Sequence, residues 1–65
     1  MNKKEARKAK FRAIYANLPL GARHEIVVVI GGEPLTWNAA KVEIDAETNK
    51  VEEILDKLEQ VGLLK

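Results

Sequence analysis

The hydrophobic and polar positions near the carboxyl end of the chain repeat with the period of an α-helix. Four apolar side chains follow the i, i+3, i+4, i+7 spacing, with charged residues between them: Val51, Ile54, Leu55 and Leu58. Gly62 comes next, and glycine is the usual residue at the left-handed position just beyond a helix. The pattern predicts a helix from about residue 48 to about residue 60, closed by a Schellman cap that sets Leu63 against Leu58.

A shorter helix is predicted just before it. Its apolar face is formed at i, i+3, i+7 spacing by Trp37, Ala40 and Ile44. Thr36 is the expected N-cap, because its hydroxyl can accept a hydrogen bond from a free backbone N–H. After about two turns, residues 45–47 form a tight turn, and Asp45 or Thr48 caps the next helix. Trp37 is expected to anchor the core, with an interface role as the alternative.

The amino-terminal part, residues 2–17, reads as a basic amphipathic helix. Asn2 can cap it, and Pro19 ends it, since the residue before a proline is driven out of the α conformation. The apolar face consists of Phe11, Ile14, Tyr15 and Leu18. The basic residues are Lys3, Lys4, Arg7, Lys8, Lys10 and Arg12. Like charges four residues apart repel, so they do not stabilise the helix; they form either a phosphate-binding face or a solvated terminus.

Residues 25–30 are ambiguous between strand and helix. Five consecutive β-branched residues, followed by Gly31 and Gly32, favour a buried strand whose return would be residues 35–37. In that case Trp37 would belong to a β-hairpin, and the helix-turn-helix interpretation of the following segment would weaken.

Residues 34–65 resemble the core of winged-helix transcriptional regulators. The resemblance is carried by the entry at Leu35-Thr36, the two helices described above and the close at Gly62-Leu63. It implies that residues 25–32 form an apolar helix, which we favour over the strand. The sequence ends at Lys65, where the family continues into a β-hairpin wing, so no wing contacts are expected. The expected fold is mainly α, a bundle of about four helices; the alternative is α+β, with a β-hairpin near residues 25–38 packed on helices.

Charge divides the chain into two parts. The net charge is only +1, but residues 1–24 hold seven basic side chains against one acidic, and residues 25–65 hold nine acidic against four basic. This asymmetry predicts an anionic partner for the amino-terminal end.

Few features of the sequence suggest catalysis. There is no cysteine or serine, and His24 is the only histidine, so it is expected to be a surface or half-buried residue instead of a metal ligand or base. Asp45, Glu47 and Asn49 alternate as in a calcium loop, but Lys50 occupies the position that needs glycine. We expect no enzyme activity, no cofactor, no metal and no small-molecule substrate.

The leading functional hypothesis is a small helix-turn-helix DNA-binding protein that regulates transcription. Phosphates would be bound by Lys3, Lys4, Arg7, Lys8 and Arg12, and bases would be contacted by Thr48, Asn49 and Lys50 at the start of the second helix. The alternative is a protein-interaction module or small subunit that binds no nucleic acid, with a homodimer or another protein as partner. One domain spanning residues 1–65, with residues 22–64 as its helix-turn-helix core, a cytoplasmic location and no membrane association are expected.

Overall fold

Three α-helices and a β-hairpin make up the computed structural model of this protein, which describes residues 3–64. In chain order the elements are α1 (Lys3–Asn17), a short 3-10 helix (Leu20–His24), β1 (Ile26–Ile30), β2 (Glu33–Thr36), α2 (Trp37–Ala46) and α3 (Val51–Gln60). The mainly helical fold with one antiparallel hairpin matches the α+β alternative, and the expected bundle of about four helices is wrong. None of the helices within residues 3–64 is long and apolar enough to cross a membrane.

The hairpin replaces the helix that was favoured for residues 25–32. The two strands flank Gly31 and Gly32, whose φ angles of 57° and 81° are both positive, as a two-residue type I′ turn requires. Glycine adopts these angles without steric cost, and the β-branched residues of β1 fit a pleated strand. Local preference therefore decides this segment, and the resemblance to winged-helix proteins misplaced a helix here.

The return strand is shorter than the hairpin alternative predicted. It ends at Thr36, and Trp37 is the first residue of α2 instead of part of the sheet. The Thr36 hydroxyl accepts a hydrogen bond from the Ala39 N–H at 3.0 Å, so the predicted N-cap is confirmed. Helix α2 extends to Ala46, which places Asp45 inside the helix instead of in the predicted tight turn.

Helix α3 ends as predicted but begins later. Its first residue is Val51, and the expected cap Thr48 lies in the connection that precedes it. At the other end, the Leu63 N–H bonds to the Leu58 carbonyl at 2.9 Å, and Gly62 has a φ of 84°, which confirms the Schellman geometry. Leu63 is 40% exposed, and the next residue, Leu64, is the one that enters the core.

The core draws side chains from all three α-helices and both strands. Its buried members are Phe11, Val28, Ile30, Leu35, Trp37, Ala40, Ile44, Val51, Ile54, Leu55, Leu58 and Leu64. The Trp37 ring lies 5.6 Å from the Phe11 ring, between centroids, which confirms Trp37 as a core anchor. The predicted apolar face of α1 is also confirmed, since Ile14, Tyr15 and Leu18 pack against this cluster. The predicted cap Asn2 lies outside the described residues.

Candidate functional site

Arg7, one of the predicted phosphate-binding residues, faces helix α3. Its Nη1 atom lies 2.6 Å from Oδ1 of Asp56 and 3.6 Å from Oε1 of Glu59. Only 11% of the Arg7 side chain is exposed. A phosphate group would have to displace two carboxylates to reach this guanidinium.

Lys8 is the most deeply placed of the predicted phosphate ligands. Its ammonium donates a hydrogen bond to Oε1 of Glu47 at 2.6 Å, and Oε1 of Glu5 lies 3.5 Å away. The hydrogen bond to Glu47 raises the pKa of Lys8 although burial opposes this, and the same bond lowers the pKa of Glu47. Glu47 adopts the left-handed conformation, with φ 54° and ψ 47°, at the end of α2. The Glu47 carboxylate, at the carboxyl end of α2, thus supplies the counter-charge for Lys8.

Arg12 lies opposite the last turn of α2. Its Nε atom is 3.4 Å from Oδ1 of Asp45, whose other carboxylate oxygen receives a hydrogen bond from Lys41. The bond from Lys41 is the main reason that the pKa of Asp45 is lowered, and Arg12 adds to the effect. The acidic residues of α2, α3 and their connection therefore provide an anionic partner for the basic helix within the chain itself.

The remaining cations of that set are Lys3 and Lys4. Neither side chain makes a salt bridge to any residue in the 3–64 range, and Lys3 is exposed. Two of the five predicted phosphate ligands on α1 thus form no salt bridge in the described part of the chain, although the charge of Lys4 also contributes to the lowered pKa of Glu47.

The three predicted base-contacting residues lie in the connection between α2 and α3. The Thr48 hydroxyl donates to Oε1 of Glu43 at 2.6 Å and accepts the Lys50 N–H at 3.3 Å. Lys50 reaches the hairpin, where Nζ lies 3.1 Å from Oε1 of Glu33, and that bond raises the pKa of Lys50. Asn49 is exposed. No hydrogen bond or salt bridge within residues 3–64 joins these three residues to the basic set on α1.

His24 is exposed, as expected, and its Nδ1 atom lies 3.4 Å from Nδ2 of Asn38. Asn38 in turn accepts a hydrogen bond from the Tyr15 hydroxyl. Across residues 3–64 there is no group of three or more histidine, cysteine, aspartate or glutamate side chains placed to hold a metal ion.

Strand β1 has an open edge that the sequence interpretation did not single out. Ile30 and Glu33 flank the two-residue turn and form a hydrogen-bonded pair. Hydrogen-bonded and non-hydrogen-bonded pairs alternate along an antiparallel hairpin. The next pair, Val29 and Pro34, is therefore not hydrogen-bonded. The N–H and C=O groups of Val29 therefore point away from β2. The other outer edge has Pro34 at the equivalent position, which has no N–H to offer.

An apolar groove runs beside this edge. It is lined by residues 26–29 of β1 and by Lys57, Gln60 and Val61 at the end of α3. Successive side chains of a strand point to opposite faces, so a groove lined by both Val28 and Val29 lies along the edge of the strand. No residue of β2 lines it, as expected for a groove on the side of β1 that faces away from β2.

Three of the groove residues are large apolar side chains left in contact with solvent. Ile26 is 61% exposed, Val29 49% and Val61 68%. A single exposed apolar residue is ordinary, but three around one groove beside an open strand edge are typical of an interaction surface. We call this the β1-edge surface: Ile26, Val27, Val28, Val29, Lys57, Gln60 and Val61.

A signal for this surface was present in the sequence. A two-stranded hairpin always has two outer edges, and here one strand contains five uncharged β-branched residues while the other contains Pro34. The pairing with β2 determines which edge of β1 is unpaired; whether that edge stays uncovered depends on the packing of α3, which the local pattern does not encode.

The chain was also compared with protein-family models, curated proteins and solved structures, and it matches none of them.

Proposed function

We propose that this chain is a protein-interaction module that binds an extended strand of another polypeptide along the open edge of β1. The observation that carries the proposal is the outward-facing N–H and C=O of Val29 beside an apolar groove. Strand addition uses these two features together: main-chain hydrogen bonds provide affinity, and side-chain pockets provide selectivity.

The composition of the edge supports this role. Natural proteins protect exposed strand edges with charged residues, proline or bulges. The residues of β1 carry no charge. The shift in the pairing register of the hairpin lies between Ile26 and Val28, and so it precedes Val29, whose backbone N–H and C=O are unpaired. The edge of β2, by contrast, contains Glu33 and Pro34. Only one edge of this hairpin is therefore suited to strand addition.

The distribution of charge also favours a protein partner. Arg7, Lys8 and Arg12 form ion pairs with carboxylates of the same chain, so their charges are already compensated. Binding of double-stranded DNA stays an untested hypothesis, for which Lys3 and Lys4 are the two predicted phosphate ligands on α1 that form no salt bridge within residues 3–64.

The test is an NMR titration of dilute protein, at a concentration where sedimentation shows a monomer, with a synthetic extended peptide of alternating valine and threonine that is blocked at both ends. We expect chemical-shift changes at the Val29 amide and at Val61, and slower hydrogen exchange of the Val29 N–H, because that group becomes hydrogen-bonded. The matched control peptide is N-methylated on the edge that would face β1, so it has no N–H group there to donate to the Val29 carbonyl.

Two variants of the protein control the experiment. Val29→Pro removes the outward N–H at a position that donates no bond to β2, whereas Val29→Thr keeps the N–H and the branched shape. The peptide should bind the threonine variant and not the proline variant. Shifts that avoid β1, or that persist in a folded Val29→Pro protein, would disprove strand addition at this edge.

A further inference from the structure

We infer that the strand which occupies the β1-edge surface belongs to a second copy of this chain. The inference rests on the proposed function and names its partner. Two β1 strands pair antiparallel across a two-fold axis, which gives a continuous four-stranded sheet in the order β2-β1-β1-β2.

The register of the hairpin places the axis near Val29. This residue directs both its N–H and its C=O away from β2, so Val29 of one copy can donate to and accept from Val29 of the second copy. An isologous contact of this kind needs one self-complementary strand and no other element of either molecule.

The charges of the surface are compatible with self-association. No residue from 26 to 32 is charged, so antiparallel pairing of two β1 strands sets no like charges opposite each other. The surface is bordered by Lys57, which lines the groove, and by Glu25, which directly precedes β1. Neither side chain makes a salt bridge within residues 3–64.

The hairpin also explains why association stops at two copies. Once the β1 edges are paired, the only outer edges of the joint sheet are the two β2 strands. Each has Pro34 at the position where a further strand would need an N–H donor. The assembly is therefore closed, and the uncharged strand that could nucleate aggregation lies at its centre.

The apolar groove supplies the side-chain part of the contact. Exposed Ile26, Val29 and Val61 would lose contact with water when the second strand is added. A chain of 65 residues without disulfides builds only a small core, and association is a common way for such chains to gain stability.

Sedimentation velocity over a micromolar to submillimolar range tests the inference on the full chain. We expect the wild-type protein to approach twice the mass of one chain as concentration rises. Val29→Thr should behave in the same way, and Val29→Pro should stay a monomer at every concentration. Circular dichroism confirms that each variant is folded. A folded Val29→Pro protein that still dimerises would place the interface elsewhere and overturn the inference.

A second measurement on the wild-type protein does not depend on the proline variant folding. In a mixture of isotope-labelled and unlabelled chains, filtered NOE spectra should show contacts between Val29 of a labelled copy and β1 of an unlabelled copy. If the wild-type protein remains monomeric at submillimolar concentration, the second-copy inference is overturned. The proposed function does not fall with it, because the peptide titration tests separately whether the β1 edge accepts a strand.

Discussion

At the scale of single residues, the contact between Lys8 and Glu47 makes the stability of the fold depend on pH. The hydrogen bond from Lys8 holds the pKa of Glu47 below its usual 4.5, so the ionised carboxylate stabilises the fold above that pH. This contribution is lost as the pH falls through the lower folded-state pKa. The pKa of Lys8 is raised above 10.5, so its contribution is complete below that pH and is lost only in stronger alkali.

We therefore expect the urea midpoint of unfolding to be lower at about pH 3 than at neutral pH. In Glu47→Gln the difference between the two midpoints should shrink, because the group that titrates has been removed. Glu52→Gln is the matched control, since the Glu52 side chain is exposed and forms no salt bridge within residues 3–64. An acid response equal to that of the wild type in Glu47→Gln would show that this ion pair does not stabilise the fold.

Local rules predicted several single residues but none of these ion pairs. The Thr36 cap and the left-handed Gly62 depend on neighbours three to five positions away, so the sequence reveals them directly. Lys8 and Glu47 lie 39 positions apart, and Arg7 and Asp56 lie 49 apart. The charge asymmetry of the sequence predicted an anionic partner for the amino-terminal end, but it did not indicate that the chain itself supplies carboxylates for that helix.

At the scale of elements, α3 is held by one fully buried face. Leu58 has no exposed surface, and its carbonyl also accepts the capping hydrogen bond from Leu63. We expect Leu58→Ala to lower the free energy of unfolding by about 2–5 kcal/mol, through lost burial and the cavity that remains. Urea denaturation measures the loss. The control is Val42→Ala, an exposed position on α2, where the change should stay within about 0.5 kcal/mol. A loss below about 1 kcal/mol at Leu58 would mean that α3 packs less tightly than described.

The predictability of each element depended on how local its determinants are. Helices α1 and α3 follow from their periodic apolar positions, and their ends lie close to those expected. The β-branched residues of β1 and its two-glycine turn indicate the hairpin directly, whereas the resemblance to winged-helix proteins predicts a helix there. Local propensity determines this segment, and the family resemblance does not. Whether the open edge of β1 stays uncovered does not follow from the hairpin pattern, because it depends on how α3 packs beside the strand.

At the scale of the whole molecule, the basic and acidic parts of the chain compensate each other. Helix α1 forms ion pairs with α2, α3 and their connection, and the net charge of the chain is +1. A protein that neutralises several DNA phosphates needs cations that are free to release counterions from the duplex. Here most of the predicted phosphate ligands on α1 would first have to leave their carboxylates.

Titration of a labelled mixed-sequence duplex, followed by fluorescence anisotropy, measures the consequence. We expect no binding at near-physiological salt, and at low salt only a weak association through the α1 cations that form no salt bridge, which the double variant Lys3→Gln/Lys4→Gln should weaken. The matched control Lys57→Gln lies at the end of α3 and should leave that weak association unchanged. Micromolar binding that survives near-physiological salt, and that falls in Arg7→Gln or Arg12→Gln, would contradict this expectation. It would show that the ion pairs open for phosphate and would support the DNA-binding hypothesis.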